Sequence, residues 1–421
     1  MHKQSILPRG FSKDIWALFA TSVISAIGFS ITMPYMSLYL NNVLGISMTL
    51  VGTILMVAQV IGASIGIYGG EISDKFGRKF IMIRSLFARF ILFIIIGIII
   101  SRYENIYVIF VFLILNSILF SFYIPASQAY IADLTAENER ISAYGLLRMG
   151  GNLGWALGPA IGGLLATIDY AYLFFVTAFC MVIATLILIN FCRESLFCNK
   201  KSDINTSPSS NTINQKSPGF NINPKEIFSV VYDQKFLIFT LISFSSFIVW
   251  GHLVSPISIY TVNRIGITKS QLGLLFSING FMVVLFQYFI THLVPDKKEL
   301  EALWIGALIY AVGYLSVGFA RGFGLLIISM VIITMAEMVI TPASQSYASK
   351  IARPENRGRY LAFYNLAQTF GWAFGPLLGG ILLDTFTGRS ILIWGIVSLI
   401  ALFSAVGFIL FKQKNPDYKN V

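Results

Sequence analysis

Apolar residues in this chain neither alternate nor recur every third or fourth position; they fall into nearly unbroken runs separated by short polar breaks. A helix crossing the hydrocarbon core of a bilayer needs about 20 such residues, and about twelve runs reach that length. The pattern predicts spans near 15–40, 49–70, 80–101, 106–132, 141–167, 171–192, 236–260, 268–292, 300–319, 322–348, 358–383 and 389–411. The expected fold class is an all-α integral membrane protein of twelve transmembrane helices.

The rhythm stops once. Residues 193–235, including NKKSDINTSPSSNTINQKSPGFNINPKE, switch to Ser, Asn, Thr, Pro and Lys, a composition that cannot bury a core and is expected to form a cytoplasmic linker. It separates residues 1–192 from residues 236–421, six spans from six. These halves resemble each other. PASQAYIADL (125–134) matches PASQSYASKI (342–351), and GWALGPAIGG (154–163) matches GWAFGPLLGG (371–380), both at an offset of 217; YLNNVLGIS (39–47) matches YTVNRIGIT (260–268) at an offset of 221. The expected architecture is two pseudo-symmetric six-helix bundles in parallel orientation around a central passage.

Composition agrees: of 421 residues, 56% are hydrophobic and 12% charged, and the mean hydropathy is +0.76. A soluble core cannot hide that much apolar side chain. The formal net charge of +11 raises nucleic acid as a partner, but the cations follow the spans instead. About 23 of the 30 Lys and Arg fall in the tails and the loops on their side, while the opposite loops hold Arg102, Arg264, Lys269, Arg321 and Arg389. That asymmetry predicts a multi-pass protein of the cell membrane with both termini cytoplasmic, and no nucleic-acid partner. The first apolar run is too long for a signal peptide and lacks a small-residue cleavage site, so it is expected to remain as the first span. Cys180, Cys192 and Cys198 lack metal-ligand spacing and are expected to be structural fillers. No metal site, cofactor, phosphate-binding GxxxxGK[ST] loop or hydrolase triad is expected, hence no enzyme and no use of ATP.

Between the second and third spans the chain reads GGEISDKFGRKFIMIR (69–84). On its own this is a tight turn whose glycines permit positive φ and whose cations are topogenic; that leaves Asp74, an acid among cations, without a role. Gly70, Asp74, Gly77, Arg78 and Lys79, with Ile72 at the apolar position, resemble the signature loop of the major facilitator superfamily, and the likeness extends over nearly the whole chain. The resemblance implies that Asp74 faces the N-terminus of the eleventh span, where the helix dipole favours an anion. It also implies that Arg78 bridges to Asp133 at the end of the fourth, closing the cytoplasmic side as a latch. The corresponding loop of the second half, HLVPDKKELEA, keeps Asp296 without the glycines, so a second latch is not expected there.

The fifth span carries Gly145, Gly154, Gly158, Pro159, Gly162 and Gly163. Glycines one helical turn apart clear a face for close approach of a neighbouring backbone, which makes a packing groove the simple reading. The spacing also resembles the motif marking drug/proton antiporters of the superfamily, and implies an exporter.

Ionisable groups within spans cost about 2.5–3.5 kcal/mol or more at the bilayer centre and are usually functional. Glu337 lies deep in the tenth span with Thr334, Thr341 and Ser344 at helical spacing. Spans 1, 4, 7 and 10 line the passage in the superfamily, so the resemblance places Glu337 where it can take a proton from one side and release it to the other. A protonated acid bonded to a neighbouring helix is the structural alternative. Arg148, on a face of the fifth span with Asn152, Trp155 and Pro159, is expected to pair with Glu337 or a substrate group, or to snorkel to the boundary. Arg89 is expected to be a structural pair. Asn116, Tyr123, Ser127 and Tyr130 mark the inward face of the fourth span; Trp250, His252 and Pro256 the seventh; Thr32, Pro34, Tyr35 and Tyr39 the first. With these residues, the resemblance implies a proton-coupled secondary transporter, expected to work as a monomer, that exports moderately apolar small molecules by alternating access. A metabolite or sugar transporter in either direction is the alternative, and a non-transporting membrane sensor the rival from another class.

Overall fold

A computed structural model describes residues 11–102, 105–136, 139–195, 229–293, 298–353 and 356–415. Most of the expected linker, Cys198 and Asp296 lie outside the described residues. Within them the chain is helical, without a strand. The spans are Lys13–Leu38, Met48–Gly66, Arg78–Arg102, Ile106–Leu134, Arg140–Ile168 and Tyr170–Phe191 in the first half. The second half holds Gln234–Gly251 continuing through Ser255–Tyr260, then Lys269–Leu293, Glu299–Phe319, Phe323–Ile351, Arg357–Thr385 and Ser390–Lys414. Eleven of them are long and apolar enough to cross a membrane by length and composition. The twelfth, Arg140–Ile168, has the length at 29 residues; its seven glycines, with Arg148 and Asn152, dilute the apolar character.

Two elements differ from the sequence expectation. The stretch after the second span is a short helix, Gly69–Phe76, in place of a tight turn; only Gly77 takes positive φ (107°) and breaks the chain into the third span. The seventh span is interrupted. Its first part ends at Gly251, the helix restarts at Ser255, and Pro256 lacks the N–H that would serve the His252 carbonyl; Ile257 reaches that carbonyl instead, at 3.3 Å. The His252 ring caps the break from within, Nδ1 donating to the Ile248 carbonyl at 2.8 Å.

The chain packs as two compact units, residues Met1–Ser30, Ile61–Gly158 and Ala171–Asn221 in one, residues Ile31–Val60, Pro159–Tyr170 and Ile222–Val421 in the other. Three spans of the first half, the first, second and fifth, therefore contribute one end to each unit.

In the first unit small residues set the spacing: Thr177 donates to the Gly28 carbonyl at 2.7 Å and Ser30 to the Gly154 carbonyl at 3.0 Å. Asp14 accepts from Tyr130 Oη at 3.0 Å and from the Arg193 amide at 2.8 Å. Cys180 and Cys192 are free and buried, as fillers should be, and burial pushes the Cys192 thiol up to about 11.

In the second unit the segment Ile31–Val60 is bound to the later spans by polar contacts at one end of the helices. Asp384, at the end of the eleventh span, accepts from the Met48 amide (3.1 Å), the Thr49 amide (2.8 Å) and Thr49 Oγ1 (2.7 Å), and so caps the N-terminus of the second span. Asn263 bonds both Asn41 and Asn42 at 2.7–2.9 Å. Lys269 donates to the Ala166 carbonyl at 2.8 Å with its ammonium 4.1 Å from the centre of the Tyr170 ring.

Candidate functional site

Glu337 is half-buried on the tenth span, and its carboxylate accepts from Asn279 Nδ2 of the eighth at 3.0 Å. The same amide donates to Thr334 Oγ1 at 2.9 Å, so one buried Asn, 8% exposed, clamps both polar groups of the stripe. Tyr310 and Tyr314 of the ninth span complete the surroundings, both buried and both interacting electrostatically with the acid. Ser344 is buried and Thr341 half-buried further along the stripe. Leading away from the acid, Tyr314 stacks on Trp394 (6.0 Å) and meets His252 edge-on (6.4 Å). His252 Nε2, Tyr314 Oη and Trp394 Nε1 are buried without a hydrogen-bond partner, a concentration of polar potential unusual in an apolar bundle. Trp250 lies 6.3 Å from Trp372.

The first unit holds a basic counterpart. Arg89, 1% exposed on the third span, donates from Nε to Asn116 Oδ1 at 3.0 Å and lies over the Phe120 ring at 5.1 Å. This is the pair expected for Arg89, and it occupies Asn116. Tyr123, buried nearby, has an unpartnered hydroxyl and interacts electrostatically with Arg89. Arg148 is exposed on the fifth span and Asn152 half-buried one turn on. Tyr35 is fully buried, its hydroxyl donating to the Pro159 carbonyl at 2.8 Å and reaching the Lys269 carbonyl at 3.3 Å. Tyr35 thus packs against the glycine motif of the fifth span. In that motif Gly154 abuts Ala26 and Ile27, Gly162 abuts Ile31 and Tyr35, and Gly163 abuts Lys269 and Ser270, while Gly145 faces open space. Gly158 and Pro159 are buried.

At the signature loop, Arg78 pairs with Asp74 one turn earlier and with Asp133 at 3.4 Å, and donates to Ser73 Oγ at 2.8 Å. Gly70 has nothing near its Cα face, and Lys79 Nζ donates to the Ile189 carbonyl at 2.9 Å. Sequence reasoning missed Glu194 and Ser195. Glu194 accepts from the amides of Arg78 (2.8 Å), Lys79 (3.3 Å) and Phe80 (3.2 Å), the first turn of the third span, and Ser195 donates to Asp133 at 2.7 Å. The available signal was an acid next to Arg193 just past the sixth span, on the side where Lys200 and Lys201 follow. We expect Glu194→Ala to cost about 1–2 kcal/mol through loss of this cap, seen as a fall of a few degrees in melting temperature of the purified protein; an unchanged melt would contradict the cap.

The second half also has a bridge where none was expected. Glu299 pairs with Lys350 and accepts from Ser346 at 3.1 Å. At the repeat offsets Glu299 corresponds to Arg78 and Lys350 to Asp133, so the same two positions are bridged with the charges exchanged. Lys350→Glu is expected to destabilise by about 1–3 kcal/mol, because it sets a second acid against a 9% exposed carboxylate. Adding Glu299→Lys should restore most of that loss in thermal unfolding. If the double variant melts no higher than the single, the pair contributes nothing.

The sequence model described as Major Facilitator Superfamily matches residues 18–301 and again 239–421. The chain belongs to the major facilitator superfamily. Among its relatives are the MFS-type transporter YqjV of Bacillus subtilis (26% identity, 93% of this chain and 92% of that one) and the multidrug resistance protein MdtH of Yersinia enterocolitica (23%, 93% and 92%). A Na(+), Li(+), K(+)/H(+) antiporter of Planococcus maritimus is 24% identical, covering 83% of this chain and 84% of the antiporter. A peptide transporter POT in complex with sulfate shares the fold, with a TM-score of 0.75 at 16% identity over 99% of this chain and 97% of the other. A major facilitator protein is a membrane transporter and not an enzyme.

Proposed function

We propose that this transporter couples export of moderately apolar small molecules to the inward flow of protons, with Glu337 as the proton carrier. The observation that carries the reading is the setting of that carboxylate: half-buried in mid-span, hydrogen-bonded by the neutral amide of Asn279 and bordered by Tyr310 and Tyr314. The Asn279 amide is neutral, so this hydrogen bond strands no partner charge whichever protonation state the acid takes. The multidrug and antiporter relatives, and the glycine motif of the fifth span, support export.

In this reading the two six-helix halves, residues 1–192 and 236–421, rock about a midplane site. Arg148, Asn152, Tyr123, Trp250 and His252 supply polar and aromatic contacts to substrate. The interrupted seventh span puts His252 at a helix break, where transporters of this architecture expose backbone groups to ligand. Asn116 acts through Arg89, and Tyr35 positions the fifth span. Gly70, Asp74, Gly77, Arg78, Lys79 and Asp133 latch the cytoplasmic side. The chain works as a monomer in the cell membrane with both termini in the cytoplasm.

The test is dye and drug flux in proteoliposomes under an imposed pH gradient. Substrate should move against its own gradient when the pH difference is present and stop when an ionophore collapses it. Flux indifferent to the pH difference would discard proton coupling. Accumulation of sugars or metabolites in place of dyes would favour the alternative substrate class.

A further inference from the structure

A cavity of the second unit lies away from Glu337, at the end of the spans opposite the linker, and has a volume of about 950 Å³. Three arginines line it: Arg264 after the seventh span, Arg321 before the tenth, and Arg389 before the twelfth. All three are exposed, and no acidic residue is among those lining the cavity. Loops on this side hold only five cations in the whole chain, so three of them at one cavity is a concentration that topology does not ask for. Like charges gathered around a common space repel unless an anion occupies it.

The remaining walls say what kind of anion. From Ser390 the cavity runs along the twelfth span through Ile391, Leu392, Ile396, Leu399 and Leu402. These recur at helical spacing and form one stripe about 16 Å long at 1.5 Å per residue, close to the roughly 15 Å of one leaflet's hydrocarbon. The stripe is open to the outside: Leu399 is 63% and Ile391 53% exposed. A free phosphate would use the arginines and leave the stripe idle. A lipid would use both.

We propose that this cavity binds an anionic glycerophospholipid, its phosphate held by Arg264, Arg321 and Arg389 and an acyl chain lying along the twelfth span from Ile391 to Leu402. Guanidinium groups offer paired N–H donors to phosphate oxygens, and the first turn of the 25-residue twelfth span adds its amides at the same end. A zwitterionic lipid offers the same chains and phosphate but carries a cation that the three arginines repel.

The experiment is a titration of the detergent-purified protein with phosphatidylglycerol or phosphatidylcholine of identical chains, bound lipid being counted by native mass spectrometry. Phosphatidylglycerol is expected to bind at least about tenfold more tightly, and the R264Q/R321Q/R389Q variant to lose that preference while keeping its melting temperature. Leu399→Trp, which fills the stripe and leaves the arginines, should weaken both lipids alike. Equal retention of the two lipids by the native protein would overturn the proposal, whether or not the variants fold. So would complete displacement of phosphatidylglycerol by millimolar glycerol phosphate or inorganic phosphate, which would make the site one for a soluble anion.

Discussion

Glu337→Gln is expected to abolish proton-driven accumulation while leaving the fold and substrate exchange intact. Glutamine keeps the shape of the side chain and an oxygen to accept from Asn279, so the hydrogen bond at 3.0 Å has a counterpart in the variant. What glutamine lacks is a proton to release. With one proton exchanged per substrate and an imposed difference of two pH units, coupling supports a substrate gradient of up to about 100-fold, since each tenfold ratio corresponds to about 1.4 kcal/mol. The variant should equilibrate to no gradient. Counterflow, in which labelled substrate exchanges for unlabelled without net proton movement, should continue at a similar rate. Loss of counterflow together with accumulation would make Glu337 a substrate ligand or a structural acid, and retention of both would place the proton elsewhere. Asn279→Ala separates these roles further: it removes the amide that donates to both the carboxylate and Thr334, so the pH at which transport is half-maximal should move while accumulation at the best pH persists.

The spans were legible because burial in lipid demands long apolar runs that no short-range feature can disguise. Glu337 was legible for the same reason in reverse, as an acid where acids are costly. Its surroundings were not. Asn279 is one amide in an apolar stretch 58 residues away, and nothing local to it distinguishes a donor to a carboxylate from a packing residue. Arg89 with Asn116 was half legible: a buried guanidinium requires an acceptor, but which polar residue supplies it depends on the rotation of two neighbouring helices about their axes. The helix break at His252 left only Pro256 as a trace, and a proline inside an apolar run is compatible with a kink, a break or an unbroken span.

The bridge of Glu299 with Lys350 is instructive because its signal was present. In the aligned repeats PASQAYIADL and PASQSYASKI, Asp133 stands where the second copy has Lys350, and Arg78 answers to Glu299. A search for the signature motif finds only residues of the same type. A search for an ion pair between repeat-related positions finds both bridges, because Coulomb attraction is indifferent to which partner carries which sign. The reversal extends inward: at the same offsets Arg89 corresponds to Tyr310 and Phe120 to Glu337. The first half thus sets a buried cation against a ring and the second sets an acid against one. The two halves keep related backbone positions and exchange the chemistry at them.

Two alanine substitutions in the same glycine motif should give opposite results. At Gly163 an added Cβ would lie 2.7 Å from the Lys269 carbonyl, 2.8 Å from Tyr35 Oη and 3.0 Å from Ser270 Cα. Backbone atoms cannot rotate aside, and Tyr35 is pinned by its bond to Pro159, so the first, fifth and eighth spans must part where they now touch. Overpacking of this kind costs typically about 1–3 kcal/mol, and under the proposed alternating access that cost falls on the state in which these spans touch. Gly163→Ala is therefore expected to slow transport by roughly 5- to 150-fold, the ratio that such energies set. At Gly145 nothing lies within 4 Å of the added atom. There the change removes only the entropic penalty of a helical glycine, a gain of about 0.5–1 kcal/mol, and transport should be unaffected or the melting temperature slightly raised. Tyr35→Phe combined with Gly163→Ala relieves one of the three contacts and should recover part of the rate. Equal effects at the two glycines, measured as initial flux per folded transporter, would mean that the motif acts through helix flexibility and not through the close approach of its neighbours.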